Sequence, residues 1–141
     1  MSATQILVTG GTGFIGSHTV VELICAGYEV IIADNLSNSN IKIVDQIEKI
    51  IGQRPVFHQF DFCDERATLH FVEKHADITG VIHFAAFKAV GESVENPLRY
   101  YRNNLYSLIN LLEAFTARPI NLVFSSSCTV YGQPDKLPVT E

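Results

Sequence analysis

The feature that most constrains this chain is a run of glycines directly after a short apolar segment. Residues 6–8 read Ile-Leu-Val, residues 11–16 read Gly-Thr-Gly-Phe-Ile-Gly, and a helical pattern follows. One glycine allows a sharp turn, another lets the backbone approach a ligand, and a third lets the helix pack closely on its strand. The freed N–H groups and the positive end of the helix dipole then face an anion. This order of strand, turn and helix indicates a site for a dinucleotide pyrophosphate.

Two other interpretations of the glycines stay open at this point. With Gly10 included, the stretch also reads Thr9-Gly10-x-x-Gly13-x-x-Gly16, a wider spacing with the same physical demands. A glycine pattern alone also occurs in simple turns between a strand and a helix, without any ligand. An acidic residue at the end of the second strand is what distinguishes a dinucleotide site from such a turn.

Asp34 is that acidic residue, and it ends the apolar segment 28–33. It follows Gly16 at the distance required of a ribose-binding acid, and its carboxylate can accept hydrogen bonds from the ribose hydroxyls. The same charge would repel a 2′-phosphate, and no arginine follows nearby to receive one. The sequence therefore favours NAD over NADP. The alternative is that Asp34 only caps the next helix.

Composition and charge exclude several classes of function. The 141 residues are enough for one domain with a substantial core, and 47% of them are hydrophobic. A net charge of −5 argues against a nucleic-acid partner. No apolar run is long enough to cross a membrane, and the first residues lack the basic region of a signal peptide. We therefore expect a cytoplasmic protein with a small-molecule ligand.

The cysteines and histidines do not predict a metal site. The three cysteines, Cys25, Cys63 and Cys128, lack the paired spacing of zinc ligands, and the five histidines are scattered. We expect reduced, buried thiols of the kind found in cytosolic proteins, and no bound metal.

Strands and helices alternate along the chain. Apolar runs predict strands near 5–9, 28–33, 55–60, 80–85 and 120–124. Helical patterns lie near 14–26, across the isoleucines of 43–51, over 64–75, and in a long helix from Pro97. The long helix carries an apolar stripe expected to face the core: Tyr101, Leu105, Leu108, Leu112 and Phe115. Repeated units of this kind predict a Rossmann-type doubly wound parallel sheet with helices on both faces.

Polar and small residues follow the predicted strands, at the sheet edge where ligands bind. Asp61-Phe62 ends the third strand, 84–88 follows the fourth, and the serines 125–127 end the fifth. Asn103 and Asn104 lie inside the long helix, where asparagine is unfavourable. Each has a plainer alternative, since Asp61 can cap a helix, Lys88 can be a solvated charge, and a serine run can be turn chemistry.

Four stretches, taken together, resemble one family closely. Residues 9–18 read Thr-Gly-Gly-Thr-Gly-Phe-Ile-Gly-Ser-His, 34–39 read Asp-Asn-Leu-Ser-Asn-Ser, 83–93 read His-Phe-Ala-Ala-Phe-Lys-Ala-Val-Gly-Glu-Ser, and 125–132 read Ser-Ser-Ser-Cys-Thr-Val-Tyr-Gly. They resemble the amino-terminal part of UDP-glucose 4-epimerases, which are extended short-chain dehydrogenases/reductases. The resemblance covers essentially the whole chain. The glycine motif is common to that superfamily, whereas the 34–39 and 88–93 blocks are narrower signals.

The resemblance implies a role for each matching residue. The glycines with Phe14 and Ile15 would line the pyrophosphate, 34–39 the adenosine ribose and its phosphate, and Asp61-Phe62 the adenine. The full set of cofactor contacts implied in this way is Gly10, Gly11, Gly13, Phe14, Ile15, Gly16, Asp34, Asn35, Leu36, Ser37, Asn38, Ser39, Asp61, Phe62, Phe84, Ala85, Ala86, Phe87, Lys88 and Asn103. Lys88 and Ser127 would contact the UDP-sugar substrate, and Ser127 would be a catalytic residue holding the sugar 4-hydroxyl.

The family's reaction implies groups that this sequence lacks. These enzymes interconvert UDP-glucose and UDP-galactose through a 4-keto intermediate, with hydride passing to NAD and back. Their base is the tyrosine of a Tyr-x-x-x-Lys motif beyond the serine loop, and no tyrosine of this chain has a lysine four residues later. We therefore expect a single, incomplete NAD-binding domain, residues 1–141, that lacks the carboxy-terminal strands and the substrate lobe and is inactive alone.

Two alternatives and one partner also follow from the resemblance. The chain could belong to another nucleotide-sugar epimerase, one that acts on N-acetylated sugars or uronic acids. Related dehydratases usually carry Thr-Asp-Glu where this chain has Ser127-Cys128-Thr129, which argues against dehydration. A non-catalytic NAD-binding module is the second alternative. Because the long helix forms part of the dimer interface in related enzymes, a homodimer is compatible with the sequence.

Overall fold

The apolar runs of the sequence form strands that alternate with helices. The computed structural model describes residues 4–127, 130 and 132. Its elements in chain order are β1 (Gln5–Thr9), α1 (Phe14–Cys25), β2 (Glu29–Asp34), α2 (Lys42–Ile51), β3 (Val56–Gln59), α3 (Glu65–Lys74), β4 (Ile78–His83), α4 (Val90–Glu95), α5 (Pro97–Ala114) and β5 (Asn121–Phe124).

The described strands form one parallel sheet in the order β3-β2-β1-β4-β5. The chain runs outward from β1 to β3, then crosses to the other side of β1 for β4 and β5. The strand order therefore reverses between β1 and β4, which is where open parallel sheets bind ligands. This topology confirms the predicted Rossmann-type sheet.

Each face of the sheet has its own apolar core. On one face Leu7 packs with Leu111 of α5 and with residues of α3. On the other face Val8 packs with Val20 of α1 and Ile47 of α2. Helices therefore cover both faces, as the continuous apolar strands predicted.

Local signals account for several helix ends. The Asp64 carboxylate accepts a hydrogen bond from the Ala67 N–H at 3.0 Å and caps α3. Gly52, with φ of +78°, ends α2, and Pro97 begins α5. Because Asp64 is the cap of α3 and Ile41 occupies the cap position of α2, neither Asp61 nor Asp34 serves as a helix cap.

Two boundaries and one element differ from the sequence predictions. The fourth strand is Ile78–His83 instead of 80–85, so Phe84 and Ala85 lie beyond it, at the ligand edge of the sheet. The short helix α4 was not predicted. It has only six residues and contains Gly91, and both features weaken a helical pattern.

The predicted core stripe of α5 is mostly wrong. Among its members Phe115 is buried, but Tyr101 is 63% exposed, and Leu105 and Leu112 are exposed as well. Leu111 packs in the core against the sheet instead, and Tyr100 is buried beside Phe87. The exposed stripe is the more continuously apolar one, because the inward face includes Asn104 and Ser107, and periodicity therefore favours the wrong face.

Three further findings concern the thiols, metals and membranes. Cys25 is exposed at the end of α1, which corrects the expectation of buried thiols; Cys63 is half-buried, and Cys128 lies outside the described residues. In the described part of the chain, no group of three or more His, Cys, Asp and Glu side chains is arranged to hold a metal ion. No described helix combines the length and apolar character needed to span a bilayer.

Candidate dinucleotide site

A cleft of about 590 Å³ lies beyond the carboxyl ends of the strands. Its volume is in the range of small-molecule sites. Every residue that the sequence suggested for cofactor or substrate lines this cleft except Gly11, Leu36 and Ser39. The topology therefore brings together loops that are separated by more than 100 residues of sequence.

The glycine turn is packed too tightly to carry side chains. Gly10 has φ of +66°, and a Cβ there would lie 2.8 Å from the Ala85 backbone nitrogen. A Cβ on Gly16 would lie 2.3 Å from the Gly10 carbonyl oxygen. Gly11 does not line the cleft; its Cβ would meet the Ile32 side chain at 2.8 Å, so it allows close packing on β2. Absence of side chains is thus a steric requirement at each of these positions.

The first turn of α1 offers uncapped N–H groups to the cleft. Its cap residue is Gly13, no side chain caps the helix, and no acidic residue lies in its first turn. The first N–H groups of a helix have no partners within the helix, and the helix dipole adds positive potential there. Phe14 and Ile15 lie at this end and are exposed. The arrangement fits a phosphate or pyrophosphate.

Asp34 ties the glycine turn to the loop after β2. The side chain is 7% exposed, and its Oδ2 accepts a hydrogen bond from the Thr12 N–H at 3.2 Å. Its Oδ1 accepts from the Leu36 N–H at 2.9 Å and from the Ser39 hydroxyl at 3.3 Å. These contacts leave lone pairs for a ligand hydroxyl, since a carboxylate has about four acceptor positions. Leu36 and Ser39 therefore act through Asp34 in this geometry, without lining the cleft themselves.

Asp61 joins the loops that follow β2 and β3. Its Oδ2 accepts from the Asn35 amide at 3.1 Å, and its Oδ1 accepts from the Cys63 N–H at 2.8 Å. The Cys63 thiol lies 3.6 Å from the Asn103 carbonyl oxygen. Burial, together with the neighbouring Asp61 carboxylate, raises the pKa of Cys63 to about 11. The thiol is therefore protonated at neutral pH and packs as a structural group.

Asn104 holds the loop after β4. Its Oδ1 accepts from the Phe87 N–H at 2.8 Å, and its Nδ2 donates to the Phe87 carbonyl at 2.9 Å. Asn103 donates from its own amide to the Asn104 Oδ1 at 2.9 Å. Lys88 follows directly and is the one cationic side chain among the described residues that line the cleft. The helix-disfavouring asparagines thus position a loop as well as lining the site.

The serine segment lies at the far side of the cleft. The Ser125 N–H donates to the His83 carbonyl at 3.2 Å, which continues the pairing of β4 and β5 by one residue. Ser127 is exposed and lines the cleft, and its carbonyl accepts from the Val130 N–H at 3.2 Å. This position is compatible with the expected hydrogen bond between the Ser127 hydroxyl and a substrate hydroxyl.

Several lining residues have no role in the sequence-based predictions: Phe60, His83, Ser107 and Phe124. His83 and Phe124 are partners in the register of β4 and β5, which becomes known only once the strands are paired. Ser107 could have been suspected, because it is a buried hydroxyl among apolar residues of α5.

Comparison with known proteins agrees with this geometry. The profile of a family described as GDP-mannose 4,6 dehydratase matches residues 7–141. The chain is 50% identical to the UDP-glucose 4-epimerase of Schizosaccharomyces pombe, over 96% of this chain and 39% of the relative. The chain therefore spans about 40% of the length of the curated relatives that it matches.

Solved structures give the same result. The UDP-glucose 4-epimerase of Stenotrophomonas maltophila, solved with bound NAD and formylated UDP-arabinopyranose, is 47% identical with a TM-score of 0.89, covering 96% of this chain and 40% of that chain. The enzyme of Bifidobacterium longum, in complex with NAD+ and UDP, is 45% identical with a TM-score of 0.91, covering 98% of this chain and 41% of that chain. This chain therefore belongs to the GDP-mannose 4,6 dehydratase family and is similar, over nearly all of its length, to the amino-terminal part of UDP-glucose 4-epimerases.

Proposed function

We propose that this chain is the NAD-binding part of a UDP-glucose 4-epimerase, a cytoplasmic enzyme that interconverts UDP-glucose and UDP-galactose. One observation carries the proposal: the uncapped start of α1 and the Asp34 carboxylate lie in one cleft at the point where the strand order reverses. The first group fits a pyrophosphate and the second fits a ribose. The similar enzymes solved with NAD support the same cofactor.

Charge in the cleft favours NAD over NADP. A 2′-phosphate on the ribose would meet the Asp34 carboxylate, and Asp61 adds a second negative charge to the same side of the cleft. The first arginine after Asp34 is Arg54, whose guanidinium pairs with Asp45 at 2.7 Å and Glu48 at 2.8 Å on α2. It is therefore engaged with the helix and not with the cleft.

The chain's own residues would bind and orient the reactants. NAD, when bound, supplies the hydride acceptor and donor for the sugar C4. Lys88 would contact the cofactor ribose and the substrate, and Ser127 would hydrogen-bond the sugar 4-hydroxyl. Their placement in one cleft supports these roles, and Asn104 would keep Lys88 in place through the Phe87 backbone.

We further propose that residues 1–141 form one incomplete domain without epimerase activity of its own. The sequence contains no Tyr-x-x-x-Lys, and loss of a positioned base alone costs about 10²–10⁴-fold in rate. β5 is the edge of the described sheet, and its Val123 and Phe124 are exposed, which fits a surface that further strands would cover. Conversion of UDP-galactose to UDP-glucose by the purified chain would contradict this proposal.

The exposed stripe of α5 supports a homodimer. It runs along one helix face at spacings of three and four residues and comprises Leu98, Tyr101, Leu105, Ile109 and Leu112. A second copy of the chain, packing the same stripe against it, would bury these side chains in a symmetric interface. No nucleic-acid partner is proposed, in keeping with the net charge of −5.

Calorimetric titration of the chain with NAD, and with NADP in a parallel titration, tests the cofactor proposal. Saturable binding that is selective for NAD is the expected result. Binding of neither dinucleotide by a folded chain would contradict it. The full-length protein, supplied with UDP-sugars of different kinds, distinguishes a UDP-glucose enzyme from an epimerase of N-acetylated sugars or uronic acids, and turnover of none of them would favour a non-catalytic module.

A further inference from the structure

His83 is a buried ionisable side chain of the cleft that the proposed function leaves without a role. It is 2% exposed and ends β4, in register with Thr9 of β1 and Phe124 of β5. Its ring stacks on Phe124, with centroids 6.0 Å apart and planes 18° from parallel. Its Nδ1 lies 2.8 Å from the Thr9 Oγ1.

A second contact of Thr9 bears on the direction of this hydrogen bond. The Thr9 Oγ1 also accepts from the Ala85 N–H at 3.3 Å, which uses one of the two lone pairs of the oxygen. Among the described residues, Nδ1 is the one acceptor that the hydroxyl hydrogen meets. We therefore assign the hydroxyl as the donor to Nδ1, which requires a neutral imidazole with its proton on Nε2. A protonated ring would donate to the same oxygen and leave the hydroxyl hydrogen without this acceptor.

The same atoms connect two walls of the cleft. The Phe84 N–H donates to the Thr9 carbonyl at 3.1 Å, beside the contact between Ala85 and the Thr9 hydroxyl. The next residue of the glycine turn, Gly10, packs directly on the Ala85 nitrogen. The position of the Ala85 amide therefore determines how closely the glycine turn approaches the loop that leads to Lys88.

We propose that His83 is a positioning residue: through the Thr9 hydroxyl, its neutral imidazole holds the Ala85 amide and so sets the spacing between the glycine turn and the loop after β4. The identity of the ligand in this space rests on the proposed function. The role of His83 itself rests on contacts within the chain.

The surroundings of His83 agree with a neutral ring. Its ring contacts the Thr9 hydroxyl on β1 and the Phe124 ring on β5, and neither of these carries a charge. Burial lowers the pKa of His83 to about 4. Within the described residues neither the His83 Nε2 nor the Ser107 Oγ has a hydrogen-bond partner, so Thr9 is the polar anchor of the ring.

Two measurements on the ligand-free chain test this role directly. ¹⁵N NMR of the ring should show a neutral imidazole protonated at Nε2. Hydrogen exchange at the Ala85 amide should be about tenfold faster in His83→Leu, which corresponds to about 1.4 kcal/mol, within the range of one net hydrogen bond. His83→Asn, whose amide oxygen can accept from the Thr9 hydroxyl, should restore slow exchange.

A second variant shows whether His83 acts through Thr9. Thr9→Val has nearly the same shape as threonine but removes the oxygen that accepts from Ala85, so it should accelerate exchange at Ala85 at least as much as His83→Leu does. The double variant should be no faster than Thr9→Val alone, because His83 acts only through that hydroxyl. An Nδ1-protonated ring, unchanged exchange in His83→Leu, or additive effects in the double variant would each overturn the proposal. If a variant does not fold, the ¹⁵N spectrum of the His83 ring in the unaltered chain still tests the tautomer on which the proposal depends.

NAD titration extends the test to the ligand. We expect NAD affinity to fall several-fold in His83→Leu and to recover in His83→Asn. If the unaltered chain binds no NAD, the proposed function fails, while the exchange and ring measurements still decide the role of His83. If NAD binds equally well to all variants, the positioning role is wrong although the cofactor proposal stands.

Discussion

The side-chain amide of Asn104 bonds at both ends to the backbone of one residue, Phe87. The oxygen accepts from its N–H at 2.8 Å, and the nitrogen donates to its carbonyl at 2.9 Å. A side chain on α5 thus supplies the pairing that a neighbouring strand would give. This fixes the loop after β4 immediately before Lys88.

Replacing Asn104 should loosen that loop. Asn104→Ala leaves the N–H and the carbonyl of Phe87 without these partners, so we expect the free energy of unfolding to fall by about 1–3 kcal/mol. Asn104→Asp should not rescue it, because a carboxylate oxygen would face the Phe87 carbonyl. Urea denaturation measures the change, and Gln53→Ala, the same loss of an amide at an exposed position, is the control. If Asn104→Ala and Gln53→Ala lowered the free energy of unfolding equally, Asn104 would not hold the loop through Phe87.

Asp34→Asn should weaken NAD binding and reduce the preference over NADP. The uncharged amide keeps most of the shape but removes the repulsion of a 2′-phosphate. Loss of a charged hydrogen bond to the ribose should cost about 1.5–3 kcal/mol of NAD binding free energy, or roughly tenfold or more in Kd. Calorimetry with both dinucleotides gives the ratio. Asp77→Asn, at an exposed position before β4, is the matched control; an unchanged ratio of affinities in Asp34→Asn would argue against ribose recognition by this carboxylate.

Gly16→Ala and Gly91→Ala form a pair with opposite expectations. A Cβ at Gly16 would meet the Gly10 carbonyl oxygen at 2.3 Å, so the backbone must shift, at a cost of about 1–3 kcal/mol or more. A Cβ at Gly91, within α4, has no atom within 4 Å, and alanine there should be neutral or stabilising by up to about 1 kcal/mol. Thermal unfolding of both variants checks the contrast. A stable Gly16→Ala chain would mean that the turn is looser than its geometry indicates.

Stability should decrease as the pH falls below about 6.5. Burial lowers the folded-state pKa of His83 to about 4 from 6.5, so the unfolded chain binds its proton first. The penalty begins below the unfolded pKa and becomes complete below the folded one, on the order of 3 kcal/mol in total. Burial also lowers the pKa values of His58 and His75, in the same direction. Urea denaturation between pH 8 and 4 should therefore show a shallower pH dependence in His83→Leu than in the unaltered chain.

A charge in the exposed stripe of α5 should prevent self-association. Leu105→Glu places a carboxylate where a second copy would pack, so we expect a monomer by analytical ultracentrifugation if the unaltered chain is a dimer. Leu69→Glu, a similarly exposed leucine on α3, should leave the dimer intact. A monomeric unaltered chain at high concentration would remove the basis for the homodimer.

The local part of the site follows directly from the sequence. The glycine turn and Asp34 lie within one strand–helix–strand unit, β1-α1-β2, and short-range physics determines such a unit almost completely. Apolar runs define the strands, glycines permit the turn, and the acid ends the second strand. The paired contact between Asp34 and Thr12 needs no partner from elsewhere in the chain. This is why the residue pattern by itself predicts where a pyrophosphate and a ribose would bind.

Only the tertiary structure decided which face of α5 is buried and which residues meet His83. The inward face of α5 includes Asn104 and Ser107 and is less apolar than the exposed stripe, so burial depended on how α5 packs on the sheet and against α3. The contact between Thr9 and His83 joins residues 74 positions apart, and it exists because β4 pairs with β1 instead of with β3. Sequence patterns report periodicity and local turn chemistry, whereas strand order and helix docking depend on the summed burial of distant surfaces, which no local pattern contains.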